Sequence, residues 1–420
     1  MSLSILSESE VLKSFQLPSC HVCKGQLIEL SGFPVANQVT SDCRPWFGSG
    51  HLAVCKDCGI VQKPITKEWL QEVDEIYAGY AVYEQGGGVE QVSFDQNTGA
   101  GLARSEKIVD WLQRQGVLPK TGSLLDIGCG NGVFLRAFGA HNPCWQMTGS
   151  ELDTRNSALI ESIPGVAQLH VGTIESLKAR FDLIVLIHAL EHIPAPVDYL
   201  KSLSSLLNPD GFLLIQVPDL DASPFDILIA DHCTHFSTET LCSIVDKSGF
   251  DSFHFEAGCV TKELTLLAKR SVLLDERAAK HSYTSAARQP QDSRKTAARQ
   301  PQDSRKTAAR QPQDSRKTAL AHIIWLQKLF QQAETTTMPV GIFGTSISAT
   351  WLAAALGKKV SFFVDEDSNR IGRSYMSCPV YAPKDAPKDF ALLIPLRTDI
   401  ANAVAQRLTQ FKLQCIIPIL

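Results

Sequence analysis

Nowhere in 420 residues is there an apolar run of about 18, so no transmembrane helix is expected. A large excess of charge of one sign is also missing. Forty Lys and Arg stand against 44 Asp and Glu, a formal −4, which gives no electrostatic case for nucleic acid or an acidic membrane surface. The first ten residues, Met1 to Glu10, have neither a basic start nor a sustained apolar core, so no secretory signal is expected. Cysteine, by contrast, is plentiful at 12 residues. Four form two Cys-x-x-Cys pairs and the rest are scattered without framework spacing, which argues for reduced thiols and a cytoplasmic setting rather than disulfides. With 44% hydrophobic and 20% charged residues the chain is ordinary for a globular protein, and its length calls for two to four domains.

The chain is organised around Leu124-Leu125-Asp126-Ile127-Gly128-Cys129-Gly130-Asn131-Gly132-Val133-Phe134-Leu135. An apolar pair ends in Asp126, a turn carries Gly128, Gly130 and Gly132, and an apolar run resumes, which predicts strand, turn and helix. Glycine lets the backbone swing tightly out of the strand and lets a ligand lie against the main chain without meeting a Cβ. One strand later, Met147-Thr148-Gly149-Ser150-Glu151 puts an acid at a strand end, placed to take a ribose diol. Gly-x-Gly-x-Gly, with Asp126 before it and Glu151 after it, resembles the class I S-adenosylmethionine-dependent methyltransferases. The resemblance implies a sulfonium and an amino-acid tail lying over the glycines. It implies adenine recognition by the main chain near Ile174 or by Glu175, because Thr173 stands where many relatives carry an acid.

Cys20-His21-Val22-Cys23 and Cys55-Lys56-Asp57-Cys58 each aim two thiols at one point, and two such knuckles complete a tetrahedral four-sulfur shell. A structural zinc is expected, closed to substrate, with a small β-insert in the 31-residue gap and Cys43 a bystander. Four unpaired buried thiols are the alternative. The knuckles, together with Gly32-Phe33-Pro34-Val35-Ala36-Asn37 and the run 52–62, resemble the N-terminal zinc-binding domain of the nucleotide-sugar C-methyltransferases. That family implies tyrosines of the segment 76–88, here Tyr80 and Tyr83, over the active site; a hairpin or lid whose aromatics merely pack is equally open.

Phe181-Asp182-Leu183-Ile184-Val185-Leu186-Ile187 predicts a parallel strand buried on both faces. It delivers His188-Ala189-Leu190-Glu191-His192 to its carboxyl end, where open α/β sheets bind ligands. His188 therefore joins the candidate cofactor residues. A zinc-protease reading of His-x-x-Glu-His fails, because that motif needs a helix and Pro194 and Pro196 follow at once. Further on, Ala230-Asp231-His232-Cys233-Thr234-His235-Phe236-Ser237 precedes a helix for which Ser237 is the expected N-cap. The family's Tyr-x-Glu-His-x-x-Tyr-Phe-Ser motif falls here. Asp231 stands for its glutamate, His232 for its histidine and His235 for its second tyrosine, while Ile229 replaces the first. The resemblance implies His232 as a general base oriented by Asp231, with His192 and Tyr80 or Tyr83 on the acceptor's oxygen. The alternative is that Asp231 and His232 merely satisfy each other.

Residues 285–317 repeat an 11-residue unit three times. Each copy carries three basic residues and one acid, so the repeats hold +6 and the rest of the chain −10. Lacking large apolar residues, they cannot bury a face and are expected to form a disordered basic loop. A second strand–turn–helix start at 339–350 resembles the C-terminal Rossmann-like domain of the same family, a scaffold that helps hold the nucleotide-sugar.

The expectation is thus an α/β protein with a zinc-binding domain (1–72), a doubly wound methyltransferase domain (73–270), a linker (271–319) and a second Rossmann-like domain (320–420). The activity implied is methyl transfer from S-adenosylmethionine to a nucleotide-linked deoxysugar or glycan precursor, by C-methylation through an enolate. O-methylation of a sugar or other small molecule is the runner-up, and a zinc-containing nucleic-acid-binding module is the rival of another class.

Overall fold

A computed structural model describes residues 17–48, 50–80, 90, 92–94, 101–271 and 313–418. Tyr83 and residues 285–312 of the repeats lie outside these. The N-terminal segment contains short strands β1 (Leu27–Glu29), β2 (Gln38–Val39), β3 (Pro45–Trp46), β4 (Ala53–Cys55) and β5 (Val61–Gln62), followed by helix α1 (Lys67–Ala78). β1, β4 and β5 pair antiparallel in that order, and β2 pairs with β3. The β-insert expected between the knuckles is therefore present. Thr66 caps α1 by accepting from Trp69 N.

The central unit follows a β6 (Val92–Phe94) and β7 (Gly101–Ala103) hairpin with α2 (Arg104–Arg114), β8 (Gly122–Ile127), α3 (Val133–His141), β9 (Trp145–Glu151), α4 (Ser157–Glu161) and β10 (Val166–Val171). It continues through β11 (Phe181–Ile187), α5 (Pro196–Leu203), β12 (Leu207–Pro218), β13 (Thr234–His235), α6 (Thr238–Lys247), β14 (Phe250–Ala257) and β15 (Glu263–Arg270). Seven of these strands form one sheet in the order β10-β9-β8-β11-β12-β15-β14, parallel from β10 to β12, with β15 and β14 antiparallel. The chain starts at β8, winds outward to β10, then returns to the other side of β8. The β8–β11 junction is thus the switch point at which such sheets open a crevice. Leu183, Ile184, Val185 and Leu186 of β11 are fully buried, as their unbroken apolar run requires. Ser237 caps α6 in a reciprocal pair with Thr240.

β13 departs from this sheet. It pairs antiparallel with β5, Thr234 opposite Gln62 and His235 opposite Val61, becoming the fourth strand of the N-terminal sheet. The last unit comprises α7 (Gln313–Thr335), β16 (Val340–Phe343), α8 (Ile347–Leu356), β17 (Val360–Val364), β18 (Ser374–Tyr375), β19 (Cys378–Tyr381), β20 (Ala391–Leu393), α9 (Thr398–Leu408) and β21 (Gln414–Ile416). Its sheet runs β18-β19-β17-β16-β20-β21, parallel except at β18.

The units are less separate than the sequence suggests. Cys20, Leu27, Ala53, Cys55 and Ile60 share a core with Leu186, Leu190, Ile215 and Phe236 of the central unit. Leu30, Val35, Leu52 and Val54 share another with Ile323, Leu326 and Trp351 of the last. The boundary drawn at 72/73 falls inside α1. The linker expected to end at 319 ends earlier, because α7 already begins at Gln313, within the third repeat. The apolar stripe Ala319, Ile323, Leu326 is buried and carries the helix back into the polar residues before it.

Candidate active site

β8 ends in Asp126 and Ile127, and Gly128, Gly130 and Gly132 follow at φ +71°, +58° and +78°. These are left-handed conformations that glycine adopts without strain. A Cβ on Gly132 would come 2.5 Å from Ile163 Cδ1, which the end of that side chain could relieve by shifting, so it is φ that favours glycine there. Glu151, at the end of β9, reaches back so that Oε1 accepts from Gly130 N at 2.5 Å. Asp126 is buried, and its Oδ2 has no hydrogen-bond partner within the protein. Burial first, and the Glu151 charge second, push its carboxyl up to about 8. Burial likewise raises Glu151. Two acids flanking a glycine turn, one with an orphaned oxygen, form a cradle that fits the ammonium and ribose of an amino-acid nucleoside. Ile174 is buried in a short 3₁₀ turn at the adjoining strand end.

The end of β11 carries a line of charged groups, of which Glu191 and Glu263 are buried and His188 and Arg104 half-buried. His188 adopts φ +51°, a conformation uncommon outside glycine. Its Nδ1 lies 3.1 Å from Glu191 Oε1 and its Nε2 3.1 Å from Glu263 Oε2, while Arg104 Nη2 lies 3.0 Å from Glu263 Oε1. Burial works against a charged ring here, but the Glu263 carboxylate and the bonds to both acids raise His188 to about 9. Residues 190–192 form a 3₁₀ turn rather than a helix, and His188 and His192 do not share a ligand face. Among the described residues of this region, two trios bring ligand atoms within 4.8 Å of one another: Glu191, His192 and His232, and Asp226, His232 and His235.

His232 and His192 meet edge to face with ring centroids 4.7 Å apart. The expected orienting role of Asp231 does not hold. His232 Nδ1 lies 2.8 Å from Asp226 Oδ1, and the other oxygen of Asp226 lies 2.6 Å from His235 Nδ1. Asp231 instead accepts from Ser41 N at 2.8 Å and Ser41 Oγ at 2.5 Å, with His192 Nδ1 3.4 Å from its Oδ2. Burial opposes a charge on His232, yet the Asp226 bond and charge raise it above an ordinary imidazole. His192 is lowered by burial and by the His232 charge. Tyr77 hydroxyl lies 3.0 Å from His192 Nδ1 and stacks edge-on with Tyr80, whose hydroxyl accepts from Ser41 Oγ at 3.4 Å.

Sequence reading thus missed Asp226 and Tyr77. The signal for Tyr77 was its place in the tyrosine-rich segment; for Asp226 it was a lone acid between the apolar residues Phe225 and Ile227. Lys63 was also passed over. Its buried ammonium donates to Ile227 O at 3.2 Å and to Ile229 O, beside the carboxylates of Asp226 and Asp231.

The four knuckle cysteines come together. Cys20 Sγ lies 3.7 Å from Cys58 Sγ and Cys23 Sγ 3.4 Å from Cys55 Sγ. A tetrahedral shell with metal–sulfur bonds of ~2.3 Å has edges of about 3.8 Å, so the donor set fits a metal ion. Val22 N and Asp57 N each donate to a knuckle sulfur at 3.4 Å, as does Gln62 Nε2 to Cys20 at 3.1 Å.

Residues 102–254 match a family model described as a methyltransferase domain. Similar proteins include the C-methyltransferase NovU of Streptomyces niveus, 26% identical over 47% of this chain and 46% of that one. The ubiquinone biosynthesis O-methyltransferase of Aromatoleum aromaticum is 30% identical over 37% of this chain and 71% of that one. The chain spans about half the length of several curated relatives it matches. Among solved structures, the mitomycin 7-O-methyltransferase MmcR overlaps 40% of this chain and 53% of its own at 16% identity and a TM-score of 0.35. Glycine turn, flanking acids and matched region define a methyltransferase domain over residues 102–254. The chain belongs to the class I S-adenosylmethionine-dependent family. No helix among the described residues is long and apolar enough to cross a membrane.

Proposed function

We propose that this methyltransferase alkylates a nucleotide-linked sugar at carbon, with His232 as the general base. The observation that carries the reading is the Asp226–His232 bond of 2.8 Å beside His192, in a cluster set at the carboxyl end of the central sheet. Likeness over part of its length to a protein named as a C-methyltransferase adds support.

Asp126, Glu151 and the amides of Gly128 to Gly132 would hold the cofactor, with Ile174 and Leu152, which is 72% exposed, against its adenine and His188 near its amino-acid end. S-adenosylmethionine supplies an electrophilic methyl group when bound. Asp226 fixes the His232 tautomer with a proton on Nδ1, leaving Nε2 to take the proton from the carbon beside the acceptor's keto group. Negative charge then develops on the keto oxygen, where His192, Tyr77 and Tyr80 provide donors. Asp231 acts through His192 rather than on the acceptor. Cys20, Cys23, Cys55 and Cys58 would hold a structural zinc ion through their four sulfurs, and the last unit, β16 to β21, would form a wall for the nucleotide.

His232→Ala should leave S-adenosylmethionine binding intact and lower turnover roughly 10²–10⁴-fold. With a keto-sugar nucleotide and no methyl donor, the wild type should exchange the proton beside the keto group with deuterated water and the variant should not. O-methylation, the activity in the name of the Aromatoleum relative, would show no carbon exchange in either protein. Full turnover in the alanine variant would remove His232 from the chemistry.

A further inference from the structure

The loop that carries His232 meets the central unit where Cys233 N donates to Glu191 O at 2.9 Å and His192 Nδ1 lies 3.0 Å from Asp231 O, but most of its bonds go to the N-terminal segment. Lys63 N donates to Cys233 O at 3.0 Å, Trp69 Nε1 to Ala230 O at 3.0 Å, and Ala230 N to Val39 O at 2.7 Å. Ser41 binds Asp231, and the Lys63 ammonium takes the carbonyls of Ile227 and Ile229. Strand β13, which follows His232 by one residue, has β5 as its ladder neighbour.

β5 in turn is bonded to the four-cysteine site. Gln62 Nε2 donates to Cys20 Sγ at 3.1 Å, and Gln62 Oε1 accepts from His21 N at 3.2 Å. His21, lying between the two thiols of the first knuckle, is hydrogen-bonded through Nε2 to Thr234 Oγ1 at 2.8 Å. The next residue, His235, fixes Asp226, and Asp226 fixes His232. Gln62, Thr234, His235 and Asp226 are all buried, so water cannot replace a link that slips.

We propose that a metal ion held by Cys20, Cys23, Cys55 and Cys58 sets the placement of His232, through His21, Gln62 and the edge strand β13. This rests on the reading of His232 as the base. β5 and β13 are two residues long, and β1 and β4 three, too short to hold their register unaided. A tetrahedral ion closing both knuckles supplies that stability, as in small metal-dependent folds. The hydrogen-bonded chain does not run through the glycine turn, whose Gly128 and Cys129 amides donate to Ser150 O and whose Gly130 amide donates to Glu151 Oε1. Cys129, Phe134 and Leu135 behind the turn pack in a different core from Cys20, Cys55 and Phe236, although Leu125, Ile127 and Ile174 belong to that second core. Metal loss should therefore uncouple the base from a cofactor site that still binds.

The test compares the full chain loaded with zinc and stripped by chelator, using hydrogen exchange read by mass spectrometry. Exchange in residues 226–237 should rise about tenfold or more on stripping, while 122–135 stays within about twofold, and zinc should restore protection. Calorimetry should find S-adenosylmethionine affinity changed by no more than about threefold. Faster exchange in 20–62 with 226–237 unmoved would overturn the proposal. Thr234→Val, checked for full metal content by elemental analysis, removes the His21 bond and with it only the 3.7 Å contact of the same hydroxyl with Cys233 Sγ. It should loosen 226–237 with the metal in place, and unaltered protection there would also overturn the proposal. If chelation unfolds the whole chain, this variant decides. None of these readouts needs an acceptor, so failure of the methylation reading would be seen separately.

Discussion

Asp226 Oδ1 sits 2.8 Å from His232 Nδ1, a pairing made by a loop that folds back within six residues. The carboxylate is held well below its usual range by the two histidines, although burial alone would push it up. It raises His232 in return. The base form of His232 therefore needs a higher pH than a free imidazole, and the acidic limb of kcat/KM should lie above that of ordinary histidine. Asp226→Asn removes the charge, so the limb should move to lower pH while turnover falls roughly 10²-fold or more through loss of tautomer and orientation. A pH–rate profile checks both; an unshifted limb at full rate would break the pairing's link to chemistry.

Lys63 offers a stability prediction with a defined sign. Burial lowers its ammonium to about 8, against roughly 10.4 in the unfolded chain. Between those values the unfolded state binds the extra proton, so this residue's contribution is fully present above about pH 10.4 and is lost as pH falls through about 8. Lys63→Met leaves the carbonyls of Ile227 and Ile229 without a donor, a loss of about 1–3 kcal/mol that does not depend on the charge of the amine. Urea unfolding at pH 7.5 and 9.5 should show the deficit growing by about 2 kcal/mol at the higher pH. A deficit that is the same at both would mean that Lys63 does not titrate in this window.

What was legible in the sequence was local. The β8 turn, the buried strand β11, the Ser237 cap and the two knuckles each carry their signal within a dozen residues, because backbone conformation and periodicity act at that range. What was not legible depended on packing between distant segments. Asp231 looked like the partner of His232 because it is adjacent, but adjacent side chains in an extended loop point apart, and Ser41 claimed it from 190 residues away. That β13 would leave the central sheet for β5 has no marker in either two-residue strand. The start of α7 was hidden because the repeat was weighed as a unit, whereas the apolar stripe after Lys317 carries the helix back to Gln313.

The cofactor cradle makes its own prediction. With Asp126 pushed up to about 8, its carboxyl holds a proton at neutral pH in the free protein. A ligand ammonium would stabilise the ionised form, so S-adenosylmethionine binding at pH 7 should release up to one proton. Calorimetry in buffers of different ionisation enthalpy measures that number, and Asp126→Asn should abolish it. Gly130→Val places a branched side chain on a left-handed residue and should abolish binding. Glu151→Ala should weaken it by about 1–3 kcal/mol through loss of the ribose partner. Full affinity in both variants would move the cofactor elsewhere.

The repeats should be dispensable up to a sharp limit. Residues 285–312 carry no large apolar side chain, so joining Thr284 to Gln313 should leave cofactor affinity unchanged and the thermal midpoint within about 1 °C. Joining Thr284 to Thr318 is different, because it removes Gln313–Lys317, the first turn and more of α7. The residues just after the cut do structural work: Thr318 Oγ1 donates to Asp221 Oδ1 at 3.1 Å, His322 Nε2 is hydrogen-bonded to Leu220 O at 2.7 Å, and Ala319 and Ile323 are buried. A helix cut there begins with unsatisfied amides over those contacts, a loss of about 1–2 kcal/mol, or roughly 2–6 °C in the midpoint. Cofactor affinity should survive both deletions, since the cradle lies in a different core. Equal midpoints for the two shortened chains would mean that Gln313–Lys317 contributes nothing to the fold. A loss of turnover in the shorter deletion, with cofactor binding and midpoint intact, would instead place the basic repeat on the acceptor.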